Sequence, residues 1–380
     1  FRPMLLKSTD KGRSWVSISG NIPNNTLVWR LVQDHENPDL LFLATEFGIY
    51  FTINGGDHWT KLTGGVPTIS FRDLAIQRRE NDLIGASFGR GFFVLDDYSA
   101  LRQVSETQLA SDATLFPVRK AWWYVQRPHL SFSDQKGSMG DAHYVAPNPD
   151  FGAVFTYYLK DGLKSQKEQR QEKEKSIAPN TNVPFPGWEA LEDERNEQTP
   201  KIWISITDSN GKVIRRINGP VKSGFHRIAW DLNYPVPNAI DLKRPATDDD
   251  DDSTPSSLLA APGSYTAQLY RDMGGMVTPL SEPQTFEVVP LYDGALESAD
   301  RMAAVSFYRE YEAAYKVSTA LQIEIKNALN TIEKMQLALT RSHAPMGELD
   351  QRLSTLRSSL YKLDSRFSGN KAMSLSLIHI

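Results

Sequence analysis

Residues able to do chemistry are sparse in this chain, and their spacing decides what they could do. Gly85-Ala86-Ser87-Phe88-Gly89 has the G-x-S-x-G form of a nucleophile elbow, where a serine on a sharp strand-to-helix turn attacks a carbonyl. That device needs a helix after the turn. Arg90–Leu95 alternate as a strand instead, so Ser87 is read as a structural residue corresponding to Thr45 one repeat earlier. Glycoside hydrolysis needs two carboxyl groups facing across a sugar, and an acidic sugar would add arginines to grip it. Arg30 and Arg72 stand at the starts of two successive expected strands and are read as equivalent, with Glu46, Asp73 and Asp82 the nearest acids. Their spacing matches no catalytic pattern, and the blander reading pairs these arginines with local carboxylates or carbonyls. Arg90 is expected to end a strand and to pair with Asp96 or Asp97.

The other chemical classes find little support. The seven histidines are scattered, with no H-x-H or H-E-x-x-H pair, so a metal site would have to converge from distant segments. No glycine loop of the phosphate-cradling type occurs. Asp248–Asp252 form an unbroken acidic string, whereas calcium loops alternate their ligands around a sharp turn; the string is read as solvated. No metal and no cofactor is expected.

The elements that must position these residues come from a repeat. Ser8-Thr9-Asp10-Lys11-Gly12-Arg13-Ser14-Trp15 and Thr52-Ile53-Asn54-Gly55-Gly56-Asp57-His58-Trp59 share the form Ser/Thr-x-Asp/Asn-x-Gly-x-x-Trp. Asp10 and Asn54 lie about 44 residues apart, a period suited to a four-stranded sheet repeated in series. Phe88–Asp97 echoes Phe47–Asn54 and brings Asp97 into the same phase. The hydroxyl and the Asp or Asn can bond to amides inside a turn, Gly supplies a backbone angle other residues avoid, and Trp buries a large apolar surface.

The octets resemble the Asp-box, or BNR repeat, of sialidases, sortilin and many bacterial β-propeller proteins. The resemblance implies that Ser8, Asp10, Gly12 and Trp15, with Thr52, Asn54, Gly56 and Trp59, are structural, and that residues 1–98 are the terminal blades of a propeller. It also implies that Arg30 and Arg72, with Glu46, Arg90, Asp96 and Asp97, are candidate ligand contacts at a central channel.

Composition bounds the rest. A length of 380 residues allows two or three domains, and 40% hydrophobic with 23% charged residues is ordinary for a globular protein. A net charge of −4 argues against a nucleic-acid binder. The chain has no cysteine, hence neither disulfides nor a thiolate metal site. No run reaches the ~18 apolar residues of a membrane span. The start at Phe1 without Met suggests the C-terminal portion of a longer, exported protein, with any signal upstream. The terminal Ser374–Ile380 string resembles translated adaptor sequence, and residues 368–380 are assigned no structure.

Residues 99–150 read as a connector: a loosely amphipathic 99–116, the aromatic cluster Trp122, Trp123 and Tyr124, then loop. Residues 151–293 read as a β-sandwich with strands at 152–159, 201–207, 212–217, 224–231, 263–270 and 284–289, interrupted by insertions at 160–200 and 240–260. The charged run Lys164–Lys175 is expected to be a solvated or disordered loop. Gly224–Leu232 and Ala261–Thr266 resemble the Ig-like domain of the flagellar hook-capping type. Residues 294–367 read as a helical hairpin. Its seams are Ala304, Tyr308, Tyr311, Tyr315, Leu321, Ile325, Ile332, Met335 and Leu339, then Met346, Leu349, Leu353, Leu356, Leu360, Leu363 and Phe367. The hairpin packs within the chain or mediates assembly.

The expected class is therefore mainly β: partial propeller, Ig-like sandwich, helical hairpin. The expected function is non-catalytic, extracytoplasmic binding of a protein, peptide or glycan partner. The alternatives are a sialidase-like glycoside hydrolase with most catalytic residues upstream, and a structural spacer or anchor.

Overall fold

The computed structural model describes residues 2–126, 148–177, 181–240, 257–292, 300–343, 345, 347–369 and 373. Most of the expected 128–149 loop, the Asp248–Asp252 string, Met346 and nearly all of the tail lie outside them. The protein is mainly β, with several antiparallel sheets and a C-terminal pair of helices. Contacts divide it into two units, Phe1–Asp231 with Gly263–Val289 and Leu232–Pro262 with Pro290–Ile380.

The first unit opens with three sheets, each with its strands in chain order. They are β1 (Leu6–Lys7) with β2 (Val16–Ser17); β3 (Val28–Gln33), β4 (Leu41–Thr45), β5 (Gly48–Thr52) and β6 (Thr60–Lys61); and β7 (Phe71–Gln77), β8 (Asp82–Ser87) and β9 (Phe92–Leu95). Strand β4 explains why they stack. All five of its residues are buried, and successive side chains leave opposite faces of a strand. Phe42 and Ala44, with Leu40 just before the strand, join Ile49, Phe71, Leu74, Leu83 and Tyr98 in one core. Leu41 and Leu43 join Leu5, Ile18, Ile22, Tyr50 and Trp59 in another. The middle sheet thus has an apolar core on each face, one shared with each neighbouring sheet. Each fully buried large side chain contributes roughly 1.5–3 kcal/mol.

A 3-10 turn (Tyr98–Gln103), α1 (Glu106–Ala110), β10 (Ala113–Leu115) and β11 (Ala121–Trp123) occupy the expected connector. The six expected strands follow as β12 (Ala153–Leu159), β13 (Lys201–Thr207), β14 (Val213–Gly219), β15 (Gly224–Trp230), β16 (Gly263–Met273) and, after an unexpected β17 (Met276–Pro279), β18 (Gln284–Pro290). They form two sheets, β10-β12-β15 and β11-β18-β16-β13-β14, with β17 paired to β16. Strand β12 buries every second residue, and the two sheets meet through Phe155 on Phe286 and Trp230 on Tyr265, ring centroids 5.5 and 5.3 Å apart.

The charged insertion departs from expectation. Instead of a loop it holds α2 (Gln166–Lys175) and α3 (Trp188–Asn196). Ser165 and Glu168 close a capping box that starts α2. Arg170 then clips α2 to α3 through Glu194, at 2.6 and 2.9 Å, and pairs within α2 with Glu174, at 2.6 Å. Neither helix buries a residue, so the run is solvated but not irregular.

In the second unit, α4 (Arg301–Leu339) and α5 (Glu348–Ser368) form the helical pair. Only Ile325, Ile332 and Leu353 among their residues are buried. The packed line on α4 runs through Tyr315, Ser318, Gln322, Ile325, Leu329, Ile332, Gln336 and Leu339, while Ala304, Tyr308, Tyr311, Leu321 and Met335 of the expected seam are exposed. Buried Tyr234 lies under the Arg309 guanidinium at 4.3 Å, and Thr319 Oγ1 accepts from the Ala239 amide at 3.3 Å.

Candidate functional site

Two octets fold into one bonding pattern. In the first, the Gly12 amide donates to Ser8 Oγ (2.7 Å), Ser8 donates to Asp10 (2.9 Å), and the Ser14 amide donates to Asp10 Oδ1 (2.8 Å). In the second, Gly56, Thr52, Asn54 and His58 repeat those bonds at 3.2, 2.7 and 3.0 Å. The Ser14 amide and hydroxyl, with the Ser8 hydroxyl, hold the Asp10 carboxyl down at about 2. The tryptophans diverge. Trp59 is 2% exposed and donates to the Ile18 carbonyl of the preceding sheet (2.8 Å). Trp15 is 59% exposed and donates to Gly12 in its own turn (3.2 Å). The third copy forms no such turn, because Asp97 caps the 3-10 turn and accepts from Ser99.

Turns of this kind fix where the next strand begins, and the strands carry the candidate residues. Strands β3 and β7 both bulge near their starts, between Val28 and Arg30 and between Phe71 and Asp73. The Glu46 amide donates to Leu27 O, and the Phe88 amide to Ser70 O, each at 2.9 Å. This frame makes Trp29 the counterpart of Arg72 and Arg30 the counterpart of Asp73. The equivalence expected between Arg30 and Arg72 is therefore wrong by one residue, since the hairpin joining β3 to β4 is one residue longer than the one joining β7 to β8.

The counterparts touch. The Arg72 guanidinium lies 3.7 Å from the Trp29 ring and 4.9 Å from the Phe88 ring. Arg30 Nε pairs with Asp73 Oδ1 at 3.3 Å, with both side chains exposed. Glu46 Oε2 accepts from Trp29 Nε1 (2.9 Å) and Ser70 Oγ (3.1 Å). Among the described residues no hydrogen bond or ion pair takes up the Arg72 donors. A planar cation with aromatic rings against it and its N–H edge uncommitted is arranged to accept an anion.

The remaining candidates go elsewhere. Asp97 pairs with Arg119 (3.5 Å), which also reaches Glu80 (2.8 Å). Burial and the nearby Asp82 charge raise the Asp96 carboxyl, against Arg227 and Arg119. Arg90 is exposed and makes no ion pair among the described residues, so its expected bridge to Asp96 or Asp97 does not form. Asp82 accepts from the Asp97 amide (2.9 Å), away from the Arg72 cluster. Ser87 Oγ donates to the Gly91 carbonyl as Thr45 Oγ1 does to Gly48, each at 2.8 Å, so its role is to close a hairpin.

A second polar cluster was not foreseen. Wholly buried Asp34 accepts from Arg102 Nε and Nη2 (both 2.8 Å), the Tyr98 hydroxyl (2.6 Å) and the Asn37 and Glu36 amides (2.7 and 3.1 Å). Burial opposes its ionisation, but these donors together hold its carboxyl well below the usual range. Burial and the Asp34 contact push the Tyr98 phenol up. With every lone pair engaged inside the fold, this cluster is a staple.

Among the described residues no group of three or more His, Cys, Asp or Glu could hold a metal ion, and no helix is long and apolar enough to cross a membrane. No protein-family model and no curated protein matches the chain. Solved structures do, among them two of the extracellular domain of BT4673 from B. thetaiotaomicron, described as a putative one-component and a putative hybrid two-component system. They share 12% identity with this chain, cover 77% and 76% of it, and have a TM-score of 0.21. The chain spans 29% of their length. So distant a likeness carries no argument about function.

Proposed function

We propose that this chain belongs to an extracytoplasmic Asp-box β-propeller protein with an Ig-like module, and that it binds a partner without turning it over. The Arg72 cluster is the binding site, and its ligand is a protein, peptide or glycan presenting a carboxylate or similar planar anion. The carrying observation is that Arg72 is stacked on Trp29, lies near Phe88 and has its donors uncommitted, while Glu46 Oε2 and Asp73 Oδ1 are turned to other partners. The doubled octet supports the Asp-box assignment, and the aromatic core between two facing sheets supports the Ig-like one.

A panel of acidic and neutral oligosaccharides and of peptides with free or amidated C-termini tests this reading. Acidic members are expected to bind. Arg72→Lys keeps the charge but loses the fork and the stacking, so it should weaken binding by about tenfold or more, since hydrogen bonds to charged groups contribute ~1.5–3 kcal/mol. Binding indifferent to Arg72→Ala, or hydrolysis of chromogenic glycosides abolished by Glu46→Gln, would overturn it.

A further inference from the structure

We propose that the outer edge of β9 is a strand-docking site, and that its occupant is an extended segment of a partner polypeptide carrying Trp-x-x-Leu or Trp-x-x-Ile. The two preceding sheets each end on such a segment: Trp15–Ile18 runs through β2, and Trp59–Leu62 through β6. The two are paired alike. Lys7 faces Val16 as Phe51 faces Thr60, and the Ile18 and Leu62 amides donate to the Leu5 and Ile49 carbonyls at 2.9 and 2.8 Å. The third sheet stops at β9, because the chain turns away at Asp97. Strand β9 is therefore an uncharged apolar edge, with Phe92 76% and Val94 54% exposed, of the kind that pairs with another strand unless it is covered.

A cavity beside this edge identifies the occupant. It measures about 190 Å³, and Ile49, Leu62, Val66, Leu83 and Phe93 are among its walls. Each of these matches a neighbour of Trp59 one sheet earlier. The Thr45 and Ser87 hydroxyls close equivalent hairpins on Gly48 and Gly91, which sets Tyr50 against Phe93 and Leu41 against Leu83. The Ile18 and Leu62 amide bonds set Leu5 against Ile49 and, four residues further along the chain, Ile22 against Val66. Leu5, Ile18, Ile22, Leu41 and Tyr50 are the core in which Trp59 is buried. The cavity is thus the place of a tryptophan that the third sheet does not supply. An apolar cavity of about 150 Å³ holds benzene, so this one is of a size for an indole. The chain's other Trp-x-x-Leu and Trp-x-x-Ile runs are committed elsewhere, Trp188–Leu191 in α3 and Trp203–Ile206 in β13, which is paired on both edges.

The probe is a labelled synthetic peptide of residues Thr52–Leu62, titrated with the full chain and followed by fluorescence anisotropy. Saturable binding is expected. The same peptide with Trp59→Ala should bind roughly thirtyfold more weakly or worse, the loss expected of a buried aromatic anchor. The edge can be closed from the other side. The Ser87 amide donates to the Gly91 carbonyl, so in this register Phe93 bonds toward β8 and the Val94 amide faces outward. Val94→Pro removes that outward donor without touching the β8 ladder and should weaken binding about fivefold or more, with circular dichroism confirming an unchanged fold. No binding up to about 1 mM, or equal binding of the alanine peptide, would overturn the proposal. So would free tryptophan competing as well as the peptide, the mark of a small-molecule pocket, or a dimer of the chain that the peptide does not disperse, the mark of a second copy on β9.

Discussion

Removing the Asp34 carboxylate tests whether the buried staple holds the stacked sheets together. Asp34 joins the loop after β3 to Tyr98 and Arg102 beyond β9, and Tyr98 packs edge-on against Phe42 of the shared core at 4.9 Å. In Asp34→Ala the Arg102 charge, whose side chain is only 11% exposed, loses its main counter-ion and keeps Glu36 and Asn81. Breaking a buried pair from one side costs about 3–5 kcal/mol. Asp34→Asn keeps the shape but not the charge and should lose about 1.5–3 kcal/mol. The sign of the pH dependence follows from the carboxyl being depressed in the folded state. Its contribution is fully present above the unfolded value of about 3.9 and drains away as pH falls toward the folded one. Tyr98 works oppositely: its phenol is raised, so its contribution holds below about pH 10 and is lost as pH rises through the folded value. Urea unfolding followed by tryptophan fluorescence at pH 3, 5 and 7 measures the gap between wild type and Asp34→Asn. The gap should be full at pH 5 and 7 and smaller at pH 3. An equal gap at all three values, or none at pH 7, would refute the reasoning.

The two tryptophans should separate under the same assay. Trp59→Ala should lose about 3–5 kcal/mol, and Trp15→Ala less than about 1 kcal/mol, unless both act only through their local turns. Gly56→Ala should be strongly destabilising, because φ is +106° and an added Cβ would stand 2.7 Å from Ile18 Cβ; a melting temperature equal to wild type would contradict that packing. Binding at Arg72 should stay flat from about pH 5 to 9 for a carboxylate ligand, since guanidinium does not titrate there. A bell-shaped titration by calorimetry would bring Glu46 into the contact instead.

How legible each feature was follows from how local its physics is. The octets could be read because the bonds that shape their turns lie within four residues, from side chain to neighbouring amide. Alternation in β12 and the continuous apolar run of β4 likewise announce one-sided and two-sided burial. The candidate cluster was half legible: Arg72 and Glu46 both meet Trp29 and Arg30 pairs with Asp73, but Trp29, Ser70 and Phe88 were missed. The sequence carried no signal for them, because Leu27–Arg30 resembles Ile69–Arg72 more than its structural counterpart Ser70–Asp73. Helix α2 was misread because its stability comes from a capping box and ion pairs, not from an apolar face. On α4 the shift from Leu321 to Gln322 has a different origin. Segment 232–240 and α5 meet different faces of one long helix, and no single seam serves both.

What separates recognition from turnover here is which groups remain free to change. A catalytic acid or base must gain and lose a proton in the reaction, so it needs an oxygen not already committed. Glu46 Oε2 holds the Trp29 indole and the Ser70 hydroxyl, and Asp73 Oδ1 faces Arg30, so each carboxylate commits one of its two oxygens to residues beside Arg72. Arg72 itself carries a permanent charge, with no proton to exchange and no lone pair to attack. A fixed cation against aromatic surfaces can lower the free energy of a bound anion without exchanging a proton with it. Under the proposed reading Arg72 selects the ligand, and comparing Arg72→Ala with Glu46→Gln in binding and hydrolysis assays separates that role from turnover.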